Sequence, residues 1–488
     1  MGEGEYPGAG PAAERAGTPP AETVPVAAGL PLDPSPAQAE ALLERAATLV
    51  AALFDGVGER PVEGDAPDPE LIAGLLADRP GAPVHTDDAL ATLMRAVAQG
   101  HESRTGGHLA YIPGSGLLTA SLGELLASAS NRYTGLQAPS PGAVALEAGV
   151  LGWLCELFGM PDGAQAVLLS GGSMANLTAL VAARERQAPG EPHRATVYVG
   201  EQAHASVRKA ARTIGILPEH VRVCPSADGM RLDVEAIRVL IKQDRADGLV
   251  PTAVVAAAGT TNTGAVDCLP ALADLAAELG VWLHVDGAYG GFFQLTERGR
   301  ARLEGIERAD SITLDPHKSL FLPFGTGALV VRERSSLTEA FGEDADYLRD
   351  LPDPAQLPDL AELTPELTRE WRGAKLWLPL KLHGLAPFVD ALDADLDLAA
   401  EAHDALAAMP GVTTCGAPDL SIVGFRVPGD DAAQDAALAH VNAEGRVRLS
   451  STNLEGQVVL RLAVLSHRTR RHHVEYVLDR VREVVTGA

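Results

Sequence analysis

Lysine is scarce in this chain. Among 488 residues there are five: Lys209, Lys242, Lys318, Lys375 and Lys381. Arginine supplies the rest of the 39 positive charges, against 65 acidic residues, and the net charge is -26. So acidic a balance argues against a broad basic face, and with it against a binder of nucleic-acid backbones or anionic lipid surfaces. The one dense basic stretch is the short run from Arg468 to His473. Cysteine is scarce too. Cys155, Cys224, Cys268 and Cys415 are far apart, so the sequence offers no CxxC pair and no disulfide framework. No metal site is expected. The N-terminus lacks a basic segment followed by an apolar run, and no window reaches about 18 consecutive apolar residues. The expectation is a cytoplasmic protein with no membrane span and no nucleic-acid partner. The lysine shortage also has a chemical side, because few amines are available for covalent work.

Hydrophobic residues make up 46% of the chain, enough for a sizeable core in two or three domains. Residues 1–36, rich in Gly, Pro, Ala and Glu, read as a disordered tail. Residues 37–112 read as a helical segment too thin to bury its own apolar face, one that packs on something else such as a second subunit. Leu42, Leu43, Leu49, Leu53 and Phe54 fall at helical spacing behind an Asp/Ser cap signal. From about Pro113 the pattern becomes alternating strands and helices: "AVLLSGG" then "SMANLTALVAARER", "ATVYVG" then "HASVRKAARTIG", "TAVVAAAG", "VWLHVDG" and "SITLD". This alternation predicts an α/β fold over 113–384, with a mainly parallel sheet covered on both faces. Residues 385–488, with "DLSIVGFRV", "VRLSST" and "VVLRLAV", read as a smaller α/β domain. In such sheets ligands sit at the C-terminal ends of the strands.

Three signals fall at strand ends. In "LLSGGSMANLTAL", Gly171, Gly172 and Ser173 open a helix, where free N–H groups and the dipole favour an anion. A tight turn with a serine cap is the plainer reading of that string. In "VWLHVDGAYGG", Asp286 ends an apolar strand, a costly place for a carboxylate unless it is paired; a lone Asp there is more often a cap or a structural ion pair. In "SITLDPHKSLFLPFGTG", Lys318 sits in an otherwise apolar stretch, where a lysine finds a partner or loses charge; a lone loop lysine is more often solvated. Together they are the parts that hold pyridoxal 5′-phosphate (PLP). The helix start takes the phosphate, the carboxylate pairs with the ring nitrogen, and the lysine amine joins the aldehyde.

On these residues the chain resembles the group II PLP-dependent amino acid decarboxylases, fold type I enzymes that include the aromatic L-amino acid decarboxylases. "HVDGAYGG" is similar to the family's HVDAAYGG and "DPHKSL" to its [ND]PHKW, and Asp286 and Lys318 stand 32 residues apart as in the family. The resemblance runs from about residue 37 to 488. It implies a seven-stranded type of sheet and a swapped N-terminal arm in a homodimer. Lys318 matches the cofactor-bearing lysine, Asp286 the partner of the ring nitrogen, and Ala288 the small residue against the ring. His204 in "EQAHASVRKA" matches the histidine stacked on the other face, although a lone His opening a helix is by itself more often a cap. Ser173 with Gly172 matches the phosphate turn, His317 a histidine on the phosphate side, and Thr261 a threonine near cofactor and substrate carboxylate. Tyr347 in "FGEDADYLRD" matches the mobile-loop tyrosine that returns a proton to the substrate carbon; its bland reading is an exposed loop aromatic.

The chain also departs from the pattern. Arg104 and Thr105 stand where many members have His-Pro. Ile112 and Gly135 replace two Phe residues of the aromatic decarboxylases, and Ser319 replaces the Trp after the lysine. The resemblance implies α-decarboxylation of an L-amino acid to its amine and carbon dioxide, with an aromatic substrate as one option. The rival is the family's decarboxylation-dependent aldehyde synthase chemistry, in which the loop tyrosine is commonly Phe.

Overall fold

The computed structural model describes residues 29–227, 230–342 and 357–487. Contacts divide the described chain into two units. The smaller holds residues 29–55 and 64–100 and carries helices α1 (Pro36–Phe54), α2 (Pro69–Ala77) and α3 (Thr86–Ala98). Helix α1 starts where the sequence says it should: Pro36 follows Ser35, whose hydroxyl accepts from the Gln38 N–H in a capping box. None of the three helices buries a single residue, and Leu43, Leu76 and Leu93 are exposed.

The stretch 37–112 is not one unit. Residues 56–63 and 101–112 belong with the larger one. Leu109 explains why: its side chain is fully buried in the core of the C-terminal sheet and its N–H donates to the Arg448 carbonyl.

The larger unit is built on a seven-stranded sheet. Its strands are β1 (Gln165–Leu169), β2 (Ala195–Gly200), β3 (Val221–Cys224), β6 (Val250–Ala257), β7 (Trp282–Gly287), β8 (Ser311–Leu314) and β9 (Gly327–Val331). A short hairpin of β4 (Ser226–Ala227) and β5 (Arg231–Leu232) lies between β3 and β6 in the chain. The sheet order is β1-β9-β8-β7-β6-β2-β3. Every neighbouring pair from β8 to β3 is parallel, and β9 runs antiparallel to both its neighbours. The apolar runs are buried along almost their whole length, as expected of strands covered on both faces. The edge strand β3 carries no such run. "VRVC" alternates polar and apolar, and its only ladder is to β2, so its sequence signal is weak.

Four helices precede or cover the sheet near the site: α4 (Leu118–Ser130), α5 (Pro141–Leu157), α6 (Gly172–Gln187) and α7 (Ala205–Thr213). The α6 face against the sheet is made of small residues, Ala175, Ala179, Ala182 and Ala183, all buried, so the helix lies close on the strands. Residues 386–487 form a second, antiparallel sheet of β10 (Thr413–Thr414), β11 (Ile422–Arg426), β12 (Ser450–Leu454) and β13 (Gln457–Ala463), in the order β10-β11-β13-β12, with helices packed on it. Among the described residues, no helix is long and apolar enough to cross a membrane.

Candidate active site

The parallel strands bring their C-terminal ends to one side of the sheet, and a cavity of about 310 Å³ lies there. It is lined by Gly172, Ser173, His204, Thr261, Asp286, Ala288, His317 and Lys318. These eight come from five separate strand ends. Tyr347 lies outside the described residues.

Gly172 and Ser173 are the first two residues of α6. A helix start leaves its first N–H groups without intrahelical acceptors, and the dipole adds partial positive charge. Gly172 has to be glycine for packing reasons. A Cβ there would lie 2.9 Å from Asp315 Oδ2 and 3.1 Å from the Ala288 methyl.

Asp286 ends β7. Its Oδ1 accepts from the Ala288 N–H at 3.1 Å and its Oδ2 from Asn176 Nδ2 at 3.0 Å. Two donors hold the carboxylate in place, and among the described residues no arginine or lysine forms a salt bridge with it. Lys318 sits in the short helix Pro316–Ser319 after β8, with its ammonium 3.0 Å from Asp315 Oδ2. Asp315 is 2% exposed, and its other oxygen, Oδ1, is buried with no hydrogen-bond partner. His317 donates from Nδ1 to the Thr326 carbonyl at 2.7 Å, so Nε2 is left toward Asp315, 3.7 Å away. Burial holds the His317 pKa below its usual value, with Asp315 opposing.

His204 occupies two places at once. It caps α7, accepting from the Ser206 N–H at Nδ1, and it lines the cavity. Thr261 is fixed from beneath by Arg461, which donates to the Thr261 carbonyl and, at 2.7 Å, to that of Asn262. Burial lowers the Arg461 pKa.

Among the described residues the one buried lysine is Lys375, whereas the Lys318 side chain keeps 21% of its surface exposed. Lys375 is 4% exposed, held by Glu124 Oε1 at 3.0 Å and the Phe324 carbonyl at 2.9 Å. Lys375 is an ion-paired structural residue and does not line the cavity of Asp286.

The departures also find physical accounts. Ser319 is fully buried and donates to the Tyr289 carbonyl, where a Trp side chain would have no room of that size. Gly135 is packed too closely for a side chain: a Cβ would lie 2.5 Å from the Leu367 carbonyl oxygen and 2.5 Å from the Tyr133 hydroxyl. Ile112 packs against the main core.

Three residues of the site escaped sequence reasoning: Asn176, Ser206 and His284. Asn176 is one helical turn beyond Ser173, and His284 two residues before Asp286 on the same strand. Those spacings put each on the face of its known neighbour, a signal that was available. His284 is fully buried, and burial pushes its pKa down to about 4.

The donor set fits PLP. It offers a helix start floored by a glycine for the phosphate, a held carboxylate, a lysine amine and an imidazole around one cavity.

Comparison with known proteins agrees. The family model described as "Pyridoxal-dependent decarboxylase conserved domain" matches residues 83–428. An aromatic-L-amino-acid decarboxylase of Bacillus atrophaeus is 35% identical over 385 residues, covering 77% of this chain and 80% of that protein. An L-2,4-diaminobutyrate decarboxylase of Rhizobium meliloti (strain 1021) is 36% identical over 374 residues, covering 74% of each. Among solved structures, Oryza sativa TDC with PLP and tryptamine superposes with a TM-score of 0.88 at 28% identity, over 94% of this chain and 99% of that one. Catharanthus roseus tryptophan decarboxylase in complex with L-tryptophan gives 0.85 at 26% identity, over 93% and 99%.

Proposed function

Because the chain belongs to the pyridoxal-dependent decarboxylase family, and is a PLP-dependent amino acid decarboxylase, we propose that its substrate is an aromatic L-amino acid. The observation that carries the site is the meeting of Lys318, Asp286, His204 and the α6 start around one cavity. The aromatic assignment is supported by the relatives and structures named for aromatic substrates. The diaminobutyrate relative, at similar identity, is the competitor to be tested.

PLP supplies an electron sink for the pair left behind when carbon dioxide departs. The residues of the chain do the rest. The first turn of α6, with Ser173, holds the phosphate. Asp286, held by Ala288 and Asn176, places negative charge at the ring nitrogen. His204 and Ala288, which both line the cavity, would hold the ring between them. Lys318 would hold the cofactor through its amine, and Asp315 is the ion partner of that amine when it is free. His317 stands on the phosphate side, and Thr261 meets the substrate carboxylate. Tyr347 is the proton donor to the substrate α-carbon.

The test is carbon dioxide release from a panel of L-amino acids. Tryptophan, tyrosine and their hydroxylated forms are expected to turn over, and 2,4-diaminobutyrate poorly. Fastest release from diaminobutyrate would refute the aromatic assignment. Tyr347→Phe is expected to lower amine yield and, with dioxygen as the oxidant, to add ammonia, aldehyde and hydrogen peroxide. Wild-type enzyme giving those products would favour the aldehyde-synthase alternative.

We also propose a cytoplasmic homodimer. Helices α1 to α3 carry exposed leucines and bury nothing, and apolar faces of this kind are covered in a closed two-fold assembly. Sedimentation of the holoenzyme is expected to give a dimer. A fully active monomer would rule it out.

A further inference from the structure

We propose that Asn176 is a positioning residue of this site, holding the Asp286 carboxylate with one N–H and fixing the His204 ring through Ser206 with the other. The proposal deepens the decarboxylase reading and rests on Asp286 and His204 facing the cofactor.

Asn176 is 1% exposed. Its Nδ2 lies 3.0 Å from Asp286 Oδ2 and 3.0 Å from Ser206 Oγ, and its Oδ1 lies 3.0 Å from His284 Nε2. The orientation of the amide is fixed by chemistry. Flipped, it would set Oδ1 against the carboxylate, two acceptors with no proton between them.

From this one assignment the protons follow in both directions. Asn176 Oδ1 only accepts, so His284 carries its proton on Nε2, with Thr313 Oγ1 a longer 3.4 Å away. With the His284 pKa pushed down to about 4 by burial, the ring is neutral and Nδ1 accepts. Ser311 Oγ therefore donates to it at 2.8 Å, and itself accepts from Trp282 Nε1 at 2.8 Å. On the other branch, Ser206 Oγ accepts from Asn176, so its own proton goes to His204 Nδ1 at 2.7 Å. The Ser206 backbone N–H points at the same nitrogen at 3.3 Å. His204 thus has an acceptor at Nδ1 and carries its ring proton on Nε2. A single buried amide sets the position of one group and the tautomer of another, both lining the same cavity.

The experiment compares Asn176→Ala and Ser206→Ala with wild type. Apo-protein is titrated with PLP, and steady-state kinetics are measured on the holoenzymes. Asn176→Ala removes a donor from the carboxylate, and the PLP dissociation constant is expected to rise about tenfold. Ser206→Ala cuts only the His204 branch. It is expected to keep PLP affinity within about twofold while kcat falls about tenfold at nearly constant KM. A merely structural role would lower thermal stability and leave that split absent. Unchanged PLP affinity in folded Asn176→Ala would overturn the proposal, as would unchanged kcat in Ser206→Ala. If Asn176→Ala fails to fold, Ser206→Ala decides. If wild type releases no carbon dioxide from any amino acid, the decarboxylase reading falls, and the titration with PLP alone still decides this one.

Discussion

Lys318→Ala is expected to abolish turnover, with kcat falling by about ten-thousandfold or more. The amine at this position is the group that joins the cofactor and is exchanged for the substrate amine. No neighbour can take its place. Lys375, which is buried, is tied to Glu124 and the Phe324 carbonyl and does not line the cavity. Lys209 and Lys242 lie on helices away from the cavity lining, and Lys381 likewise. Borohydride reduction of the holoenzyme is therefore expected to label Lys318 and none of the other four. Peptide mapping reads this directly. A label on any other lysine, or residual activity within tenfold of wild type, would sink the assignment. The variant is expected to stay folded, because among the described residues the ammonium has one ion-pair partner, Asp315, and truncation leaves that carboxylate near His317.

Asp286→Asn separates charge from shape. The amide has the size of the carboxylate and can still accept one hydrogen bond. It cannot supply the negative charge that keeps a ring nitrogen protonated. Preorganised charge of this kind in a water-poor site is worth about a hundred- to a thousandfold in kcat. The expected result is a fall of that order with PLP still attached, so borohydride still labels Lys318. Retained activity within about tenfold would show that the carboxylate is structural. Loss of labelling would instead show that its role is to hold the cofactor in place.

Much of this site was legible before folding. The βα alternation gave the class of sheet, because buried parallel strands leave continuous apolar runs. Asp286, Lys318 and the Gly171–Ser173 turn stood out as polar or glycine residues at the ends of those runs. Strand β3 did not, since an edge strand alternates. The extent of the N-terminal segment did not either. Leu109 is buried in a core formed mostly by residues beyond 398, and local composition carries no trace of that.

By itself, then, the sequence determined which lysine is the candidate. It marked one of five by apolar flanks and by a carboxylate and a glycine turn at neighbouring strand ends. The tertiary structure decided what surrounds it. It buried a different lysine, Lys375, pairing it with Glu124 across 251 positions. It set Asp315 against Lys318, and it made Asn176 the bridge between Asp286, 110 positions away, and Ser206. The physical reason is range. Spacing along a chain reports which face of its own helix or strand a residue occupies, whereas hydrogen bonds between elements exist only once the sheet has ordered its strands.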